Sequence, residues 1–487
     1  MTPQFLLEAP VKDRIEETAH ARSGEASWEN LAGGARITRE AGGAQALVAV
    51  VGLDHVGLPS AIALRRAGMR VVGIDGSSGR LSEIRSGRVE LRGDYREDLR
   101  ACLPDEDFVL SDDYEALSAA DGVLICVPNS VDRHGRPNTE ALRRACAAVV
   151  QHAHVGQTIV LTSTTYVGST RDLLVEPLAE LGLSVGEDVF IACSPERIGP
   201  GVGDHEQPGT RVSHQQPQTT RASYKEPQTT RVVGAVTEAC FAHAAELLRP
   251  ISECLHRVSS PAAAEMVKLY ESGFRAVNIA FAFEMADACR TQALDPIEIT
   301  DAAATKPSGF IAHYPSAGVG GHSVGVDPHY LLHSLRERGR PATLTEQALR
   351  TVAGRPARVA MRAHELLQRS GRQMRDLRVI VVGAAYKPGV ADCANAPAVE
   401  IISRLLAEGV HVDFHDPLVP ALRVDGEEIE GVDPDPRRDA SGFGPEDYEL
   451  AIVVGVQPGY DYGWLRRCPQ VLDCTYRERT GQRQFLV

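Results

Sequence analysis

The sequence predicts an α/β protein in which two doubly wound units are joined by a long central helix. Three observations lead there. Apolar runs ending at Gly52 and Gly383 each open a strand, helix, strand pattern whose second strand closes on an acid, Asp75 in one unit and Asp416 in the other. Between them, residues from about Pro261 to Arg290 are rich in alanine and poor in breakers, the composition of one long helix. At 487 residues the chain also exceeds what a single hydrophobic core organises, so two or three domains are expected.

Residues 1–45 are polar, charged and glycine-rich without a sustained period, and are expected to form a flexible extension. Leu47-Val-Ala-Val-Val-Gly52 then reads as a buried strand, Leu58 to Gly68 as a helix, and Arg70-Val-Val-Gly-Ile-Asp75 as a second strand, which together make a parallel-sheet unit. Gly122-Val-Leu-Ile-Cys-Val127 and Thr158-Ile-Val-Leu161 extend that sheet. Within residues 203–231, Pro217-Gln-Thr-Thr-Arg221 recurs as Pro227-Gln-Thr-Thr-Arg231. Polar, proline-bearing repeats cannot bury a core, so a mobile surface loop is expected. The second unit opens with Arg378-Val-Ile-Val-Val-Gly383, followed by a helix from about Pro397 to Gly409 and a strand from Val410 to Asp416. The resulting division is an extension at 1–45, a Rossmann-like domain at 46–257, a central helical domain at 258–355 and a second Rossmann-like domain at 356–487. A long helix between two such domains is a natural dimerisation spine.

A formal charge of −14 disfavours nonspecific binding to nucleic acid or to anionic membranes. No apolar run reaches the length of a membrane span, and the N-terminus lacks a secretory pattern. Ten cysteines are scattered without short paired spacings. They suggest neither a disulfide framework nor a metal site, and reduced thiols of a cytoplasmic protein are the expectation.

Several segments then fall in an informative order. They are Gly52-Leu-Asp-His-Val-Gly-Leu-Pro59, Ser163-Thr164, Ser194-Pro-Glu-Arg-Ile-Gly-Pro-Gly201, Ala264-Glu-Met-Val-Lys-Leu269, Thr305-Lys-Pro-Ser-Gly309, Gly318-Val-Gly-Gly-His-Ser-Val-Gly-Val-Asp-Pro-His-Tyr-Leu331 and Tyr386-Lys-Pro388. Over roughly residues 46 to 480 this set resembles the NAD-dependent nucleotide-sugar 6-dehydrogenases, the UDP-glucose/GDP-mannose dehydrogenase family. Within it the chain looks most like the branch acting on UDP-N-acetylglucosamine or UDP-N-acetylmannosamine, enzymes of polysaccharide biosynthesis.

The resemblance implies NAD as cofactor, held around Gly52, Val56, Gly57, Asp75, Val127, Pro128 and Ser163. Gly52 and Gly57 follow a strand and open a helix, and Asp75, about twenty residues on, suits a ribose 2′-hydroxyl. Asp54 stands where the middle glycine of that pattern lets backbone approach a pyrophosphate. A carboxylate about 4 Å from a phosphate charge costs about 4 kcal/mol at an effective dielectric of about 20. Fully expressed, that weakens binding roughly a thousandfold.

Catalytic roles are implied for Lys268 at a developing oxyanion, Asp327 and Thr164 at a water, Glu196 near the reacting carbon and Ser323 at the nucleophile position. Substrate contacts are implied for Lys387, Ser272 and the glycines Gly318, Gly320 and Gly321, whose lack of a side chain permits close approach of a sugar diphosphate. His322 is expected to order its loop. The family places cysteine where this chain has Ser323, and asparagine where it has Ser272. Further departures are Asn129 and Ser130 in the Val-Pro-Thr-Pro segment, Phe283, and Ala394 in place of an arginine. Because the attacking species is the anion, a hydroxyl is a far weaker nucleophile than a thiol near neutral pH. The expected function is therefore oxidation at C6 of a UDP-sugar, impaired or arrested at the aldehyde. The alternative is a degenerate UDP-sugar-binding paralogue, or a partner subunit of an active dehydrogenase.

Overall fold

The computed structural model describes residues 46–89, 91, 93–132, 135–197, 230–252, 254–434, 444–476 and 484–486. The N-terminal extension, residues 203–229 of the repeat and residues 198–201 of the segment beginning at Ser194 lie outside them.

Leu47–Val51 (β1) is buried at every position, as a parallel strand covered on both faces must be. Around it Arg70–Ile74 (β2), Phe108–Ser111 (β3), Gly122–Ile125 (β4), Thr158–Leu161 (β5) and Phe190–Cys193 (β6) form a parallel sheet in the order β3-β2-β1-β4-β5-β6. Register sets Leu47 opposite Arg70 on one side and Val48 opposite Gly122 on the other. Arg231–Ala235 (β7) then joins antiparallel to β6, and Leu255–Val258 (β8) lies parallel to β7 at the edge. The helix Gly57–Arg66 (α1) follows β1 and buries Leu58, Ala61, Ile62 and Leu64.

The central helix runs from Pro261 to Thr291 (α2), 31 residues, about 46 Å of rise. Ser260 caps it by accepting from the Ala263 amide at 3.2 Å, and Pro261 sits in its first turn, where no amide proton is needed. Ala276, Ile279 and Phe283 pack against Leu332 of Asp327–Glu337 (α3) and Leu349 and Val352 of Thr343–Ala353 (α4). Near its start α2 carries Glu265, which is 2% exposed. Its carboxylate accepts from the Gly168 and Thr170 amides and from both hydroxyls of Ser169 and Thr170, at 2.5 to 2.8 Å. That bond set locks the central helix to the first unit.

After Arg355–Gln368 (α5) comes the second sheet. It consists of Arg378–Val382 (β9), His411–His415 (β10), Leu450–Val453 (β11), Val471–Asp473 (β12) and Gln484–Leu486 (β13), all parallel, in the order β10-β9-β11-β12-β13. Pro397–Ala407 (α6) connects β9 to β10 and places Ile401 and Leu405 in one core with Val379, Val381 and Phe414. Both units are Rossmann-like. In each, strand order reverses beside the first strand, which is where a crevice opens at the carboxyl ends.

Candidate active site

In the first crevice the chain leaves β1 at Gly52 with φ +87°, and a Cβ there would fall 2.9 Å from the Val127 Cα. At Gly57 a Cβ would meet the Gly52 carbonyl oxygen at 1.7 Å. Both positions need glycine so that the turn can run directly into the N-terminus of α1, an arrangement suited to a pyrophosphate. Asp75 secures the turn by accepting from the Leu53 and Ser77 amides, each at 2.9 Å. A glycine turn, a helix N-terminus and an acid closing β2 together fit a dinucleotide such as NAD.

Asp54 does not point freely into this site. Its carboxylate accepts from the His55 amide at 2.8 Å and lies 3.3 Å from His55 Nδ1. The His55 ring stacks on His322 with centroids 4.1 Å apart, and His322 Nε2 reaches Asp392 at 3.2 Å. The order is acid, imidazole, imidazole, acid, running from the glycine turn through the 318–331 loop to the second unit. Burial opposes ionisation of Asp54, but the His55 hydrogen bond and the charges of His55 and His322 bring its pKa down to about 2. His322 is raised above the usual histidine range by its bond to Asp392, against the effect of burial.

Between the two units lies a cleft with about 1160 Å³ of open space. Val56, Val127, Pro128, Ser163 and Thr164 line it from the first unit, with Glu196 and Lys268. Gly318, Gly320, Gly321, Ser323 and Asp327 contribute the loop wall, and Lys387 the wall of the second unit. Gly52, Gly57 and Asp75 stand behind that surface, shaping the turn, while Ser163 spends its hydroxyl proton on backbone carbonyls, including Val127 at 2.8 Å.

Asp327 is the hub. It is 1% exposed and opens α3, where a carboxylate is favoured by the helix dipole. Its Oδ2 accepts from Ser323 and from Ser272, each at 2.8 Å, and lies 3.8 Å from the Lys268 ammonium. The two serine oxygens are 3.1 Å apart. Ser272 and Lys268 are four residues apart on α2, hence on one face. Asn129 donates its amide to Asp327 Oδ1 at 3.0 Å, a partner that sequence reasoning missed. Its only signal was a departure from the family pattern, because 198 residues separate the pair.

Glu196 lines the cleft but is gripped by Arg231 from β7 and accepts from the Arg197 amide at 2.9 Å. Arg197 in turn forks onto Glu271 of α2 at 2.5 and 3.1 Å. The loop glycines serve packing as well as access. A Cβ at Gly320 or Gly321 would strike the Tyr386 side chain at 2.5 or 2.7 Å, and one at Gly318 would press on Pro356 and Pro397 at 3.0 Å. Of the cysteines, Cys126 lines this cleft. Burial pushes its thiol up to about 12, so it supplies no thiolate in place of Ser323.

This arrangement can hold an alkoxide against Lys268, accept a proton at Asp327 and fix the Ser323 hydroxyl. Comparison with known proteins points the same way. The UDP-glucose/GDP-mannose dehydrogenase family matches in all three of its parts: the NAD binding domain over residues 46–210, the central domain over 262–352 and the UDP binding domain over 380–442. The chain is 30% identical over 381 residues to a UDP-N-acetyl-D-glucosamine 6-dehydrogenase of Pseudomonas aeruginosa, covering 77% of this chain and 83% of that one. It is also 30% identical over 392 residues to a UDP-N-acetyl-D-mannosamine dehydrogenase of Pyrococcus horikoshii, covering 79% and 87%. The solved structure of a UDP-D-ManNAc dehydrogenase from Pyrococcus horikoshii superposes with a TM-score of 0.74 at 25% identity, over 91% of this chain and 99% of that one.

Proposed function

Because the chain belongs to the UDP-glucose/GDP-mannose dehydrogenase family, we propose that it oxidises C6 of a UDP-N-acetylhexosamine by an NAD-dependent reaction in which Ser323 is a positioned hydroxyl, not a nucleophile. One observation carries this reading. Ser323 donates to the buried Asp327 carboxylate at 2.8 Å, inside a cleft that keeps Lys268, Glu196 and Lys387.

The turn at Gly52 and Gly57 would hold NAD, which would supply the acceptor for the hydride that leaves C6. The residues of the chain do the rest. Lys268 stabilises negative charge on the C6 oxygen as its proton departs, and Asp327 is within reach of that ammonium to relay the proton. For the aldehyde to go further, a water adds to it and gives its proton to Asp327, whose carboxylate Ser323 and Ser272 hold in place, and the hydrate would then give its hydride to a second molecule of oxidised NAD. No covalent sulfur intermediate traps the aldehyde, so the second oxidation is slow and aldehyde accumulates. Residues 46–257 are assigned to the cofactor and 356–487 to the uridine diphosphate, with 258–355 between them.

We assign the central helix to a homodimer. Met266, Tyr270, Phe274, Phe281 and Met285 are exposed along α2, with Tyr270 at 71% and Phe281 at 55%. At about 100° per residue they form one stripe, and such a face on a water-exposed helix calls for a partner.

The test mixes the protein with NAD and either UDP-N-acetylglucosamine or UDP-N-acetylmannosamine, and follows both NADH and product mass. NADH formation with aldehyde as the main product is expected, and Ser323→Cys should raise the acid fraction about tenfold. Absence of NADH with every UDP-sugar tried, at saturating NAD, overturns the dehydrogenase reading and leaves the degenerate binding paralogue.

A further inference from the structure

A second cavity, of about 450 Å³, lies away from the cleft between α2 and α5. Asp287 and Arg290 of α2 line it, with Arg355, Arg358, Arg362 and Glu365 of α5. Four guanidiniums against two carboxylates leave a local charge of +2 on a chain whose formal charge is −14. The pairing is incomplete. Asp287 is shared by Arg355 at 3.1 Å and Arg358 at 2.6 Å. Arg362 reaches Glu365 at 2.7 Å, yet its Nε is buried with no hydrogen-bond partner. Arg290, exposed at the cavity, pairs with none of the described residues. A buried guanidinium donor left unmatched costs free energy, and convergent guanidiniums match the oxygens of a phosphate group in charge and in geometry.

We propose that this cavity is a binding site for a phosphate-bearing anion, distinct from the cleft and coupled to the 318–331 loop. The ligand takes its bonds from the guanidiniums of Arg290, Arg358 and Arg362 that line the cavity. Arg290 lies nine residues beyond Phe281, about two and a half helical turns. It is therefore on the side of α2 opposite the apolar stripe, and a dimer formed there leaves the cavity open. Coupling runs through Arg355, which is 0% exposed. Its Nε donates to the Ser316 carbonyl at 3.1 Å and its Nη2 to the Tyr476 hydroxyl at 2.8 Å. Ser316 in turn donates its hydroxyl to the Gly318 carbonyl at 2.8 Å. An anion that draws Arg358 away from Asp287 changes the hold of Asp287 on Arg355, and with it the root of the loop.

Calorimetric titration of the full chain with inorganic phosphate, inorganic diphosphate and a hexose 1-phosphate tests this, with a preference for the free ion or the ester naming the source. Binding below about 1 mM is expected, weakened about tenfold in Arg290→Ser and in Arg362→Gln. Glu365→Gln, which removes a competing carboxylate without removing a donor, should tighten it about threefold. Hydrogen exchange at residues 316–321 should slow on binding in the wild type and not in Arg290→Ser. Equal affinity in wild type, Arg290→Ser and Glu365→Gln would place the anion elsewhere and overturn the proposal, as would an unchanged exchange pattern at 316–321 with the anion bound.

Discussion

Asp54 illustrates how one side chain can be an obstacle in a motif and yet be tolerated in a structure. In isolation its charge beside a pyrophosphate is a loss of about 4 kcal/mol. Folded, it is turned back onto the His55 amide and faces two imidazoles, so only part of that loss survives. Asp54→Gly is expected to tighten NAD binding about tenfold, or about 1.4 kcal/mol, well short of the unscreened figure. The remainder depends on pH. Asp392 raises the His322 pKa above 6.5, so protonated His322 contributes its full stabilisation below the ordinary histidine value and loses it as pH rises through the raised one. NAD affinity of the wild type should accordingly fall as pH rises from below the ordinary histidine value through the raised value of His322, while that of Asp54→Gly changes less. Fluorescence titration with NAD across that range checks it, and a tenfold gain equal at both ends would mean that the imidazoles do not screen Asp54.

At the scale of elements, the helix α2 has two faces with different tasks. Lys268, Ser272 and Ile279 look inward at or beside the cleft, while Tyr270, Phe274 and Phe281 are left exposed. Tyr270→Glu combined with Phe281→Glu places two carboxylates on the stripe without touching the inner face. The expected outcome is a shift from dimer to monomer, read by analytical ultracentrifugation at micromolar protein, with the far-ultraviolet circular dichroism of the helix retained. A variant that stays dimeric would move the interface off this helix. These elements were legible because their signals are local. Leu47–Val51 is apolar at every position since both faces are covered, and Pro261 to Thr291 lacks breakers and begins with a serine cap. The edge strand Leu255–Val258 left no such mark, because His256 and Arg257 are exposed and an edge strand is free to be polar. Most of the side chains expected at the site do line the cleft, but their bonds were not legible. Asn129 to Asp327 spans 198 positions, and Glu196 to Arg231 crosses the repeat segment, so no spacing rule links either pair.

Across the whole molecule, the 318–331 loop ties the two crevices together, and one of its links is a ring stack. The glycine turn belongs to the first sheet and Asp392 to the second unit, and the His55–His322 stack with its flanking acids is a bridge between them. On the proposed assignment of the two sites, a cofactor that orders the turn is expected also to order the loop, and a sugar nucleotide held by the loop is expected to do the reverse. Linkage makes the effect reciprocal: saturating UDP-N-acetylglucosamine should tighten NAD by the same factor as saturating NAD tightens the sugar nucleotide, about fivefold in each direction. His55→Ala removes the stack while leaving Gly52 and Gly57 to form the turn, so the factor should fall toward one, with Lys387 and the rest of the sugar wall unaltered. Titrations of each ligand in the absence and presence of the other, in wild type and His55→Ala, measure all four affinities. A coupling factor that survives unchanged in His55→Ala would show that the two units communicate through the central helix instead of through the paired imidazoles.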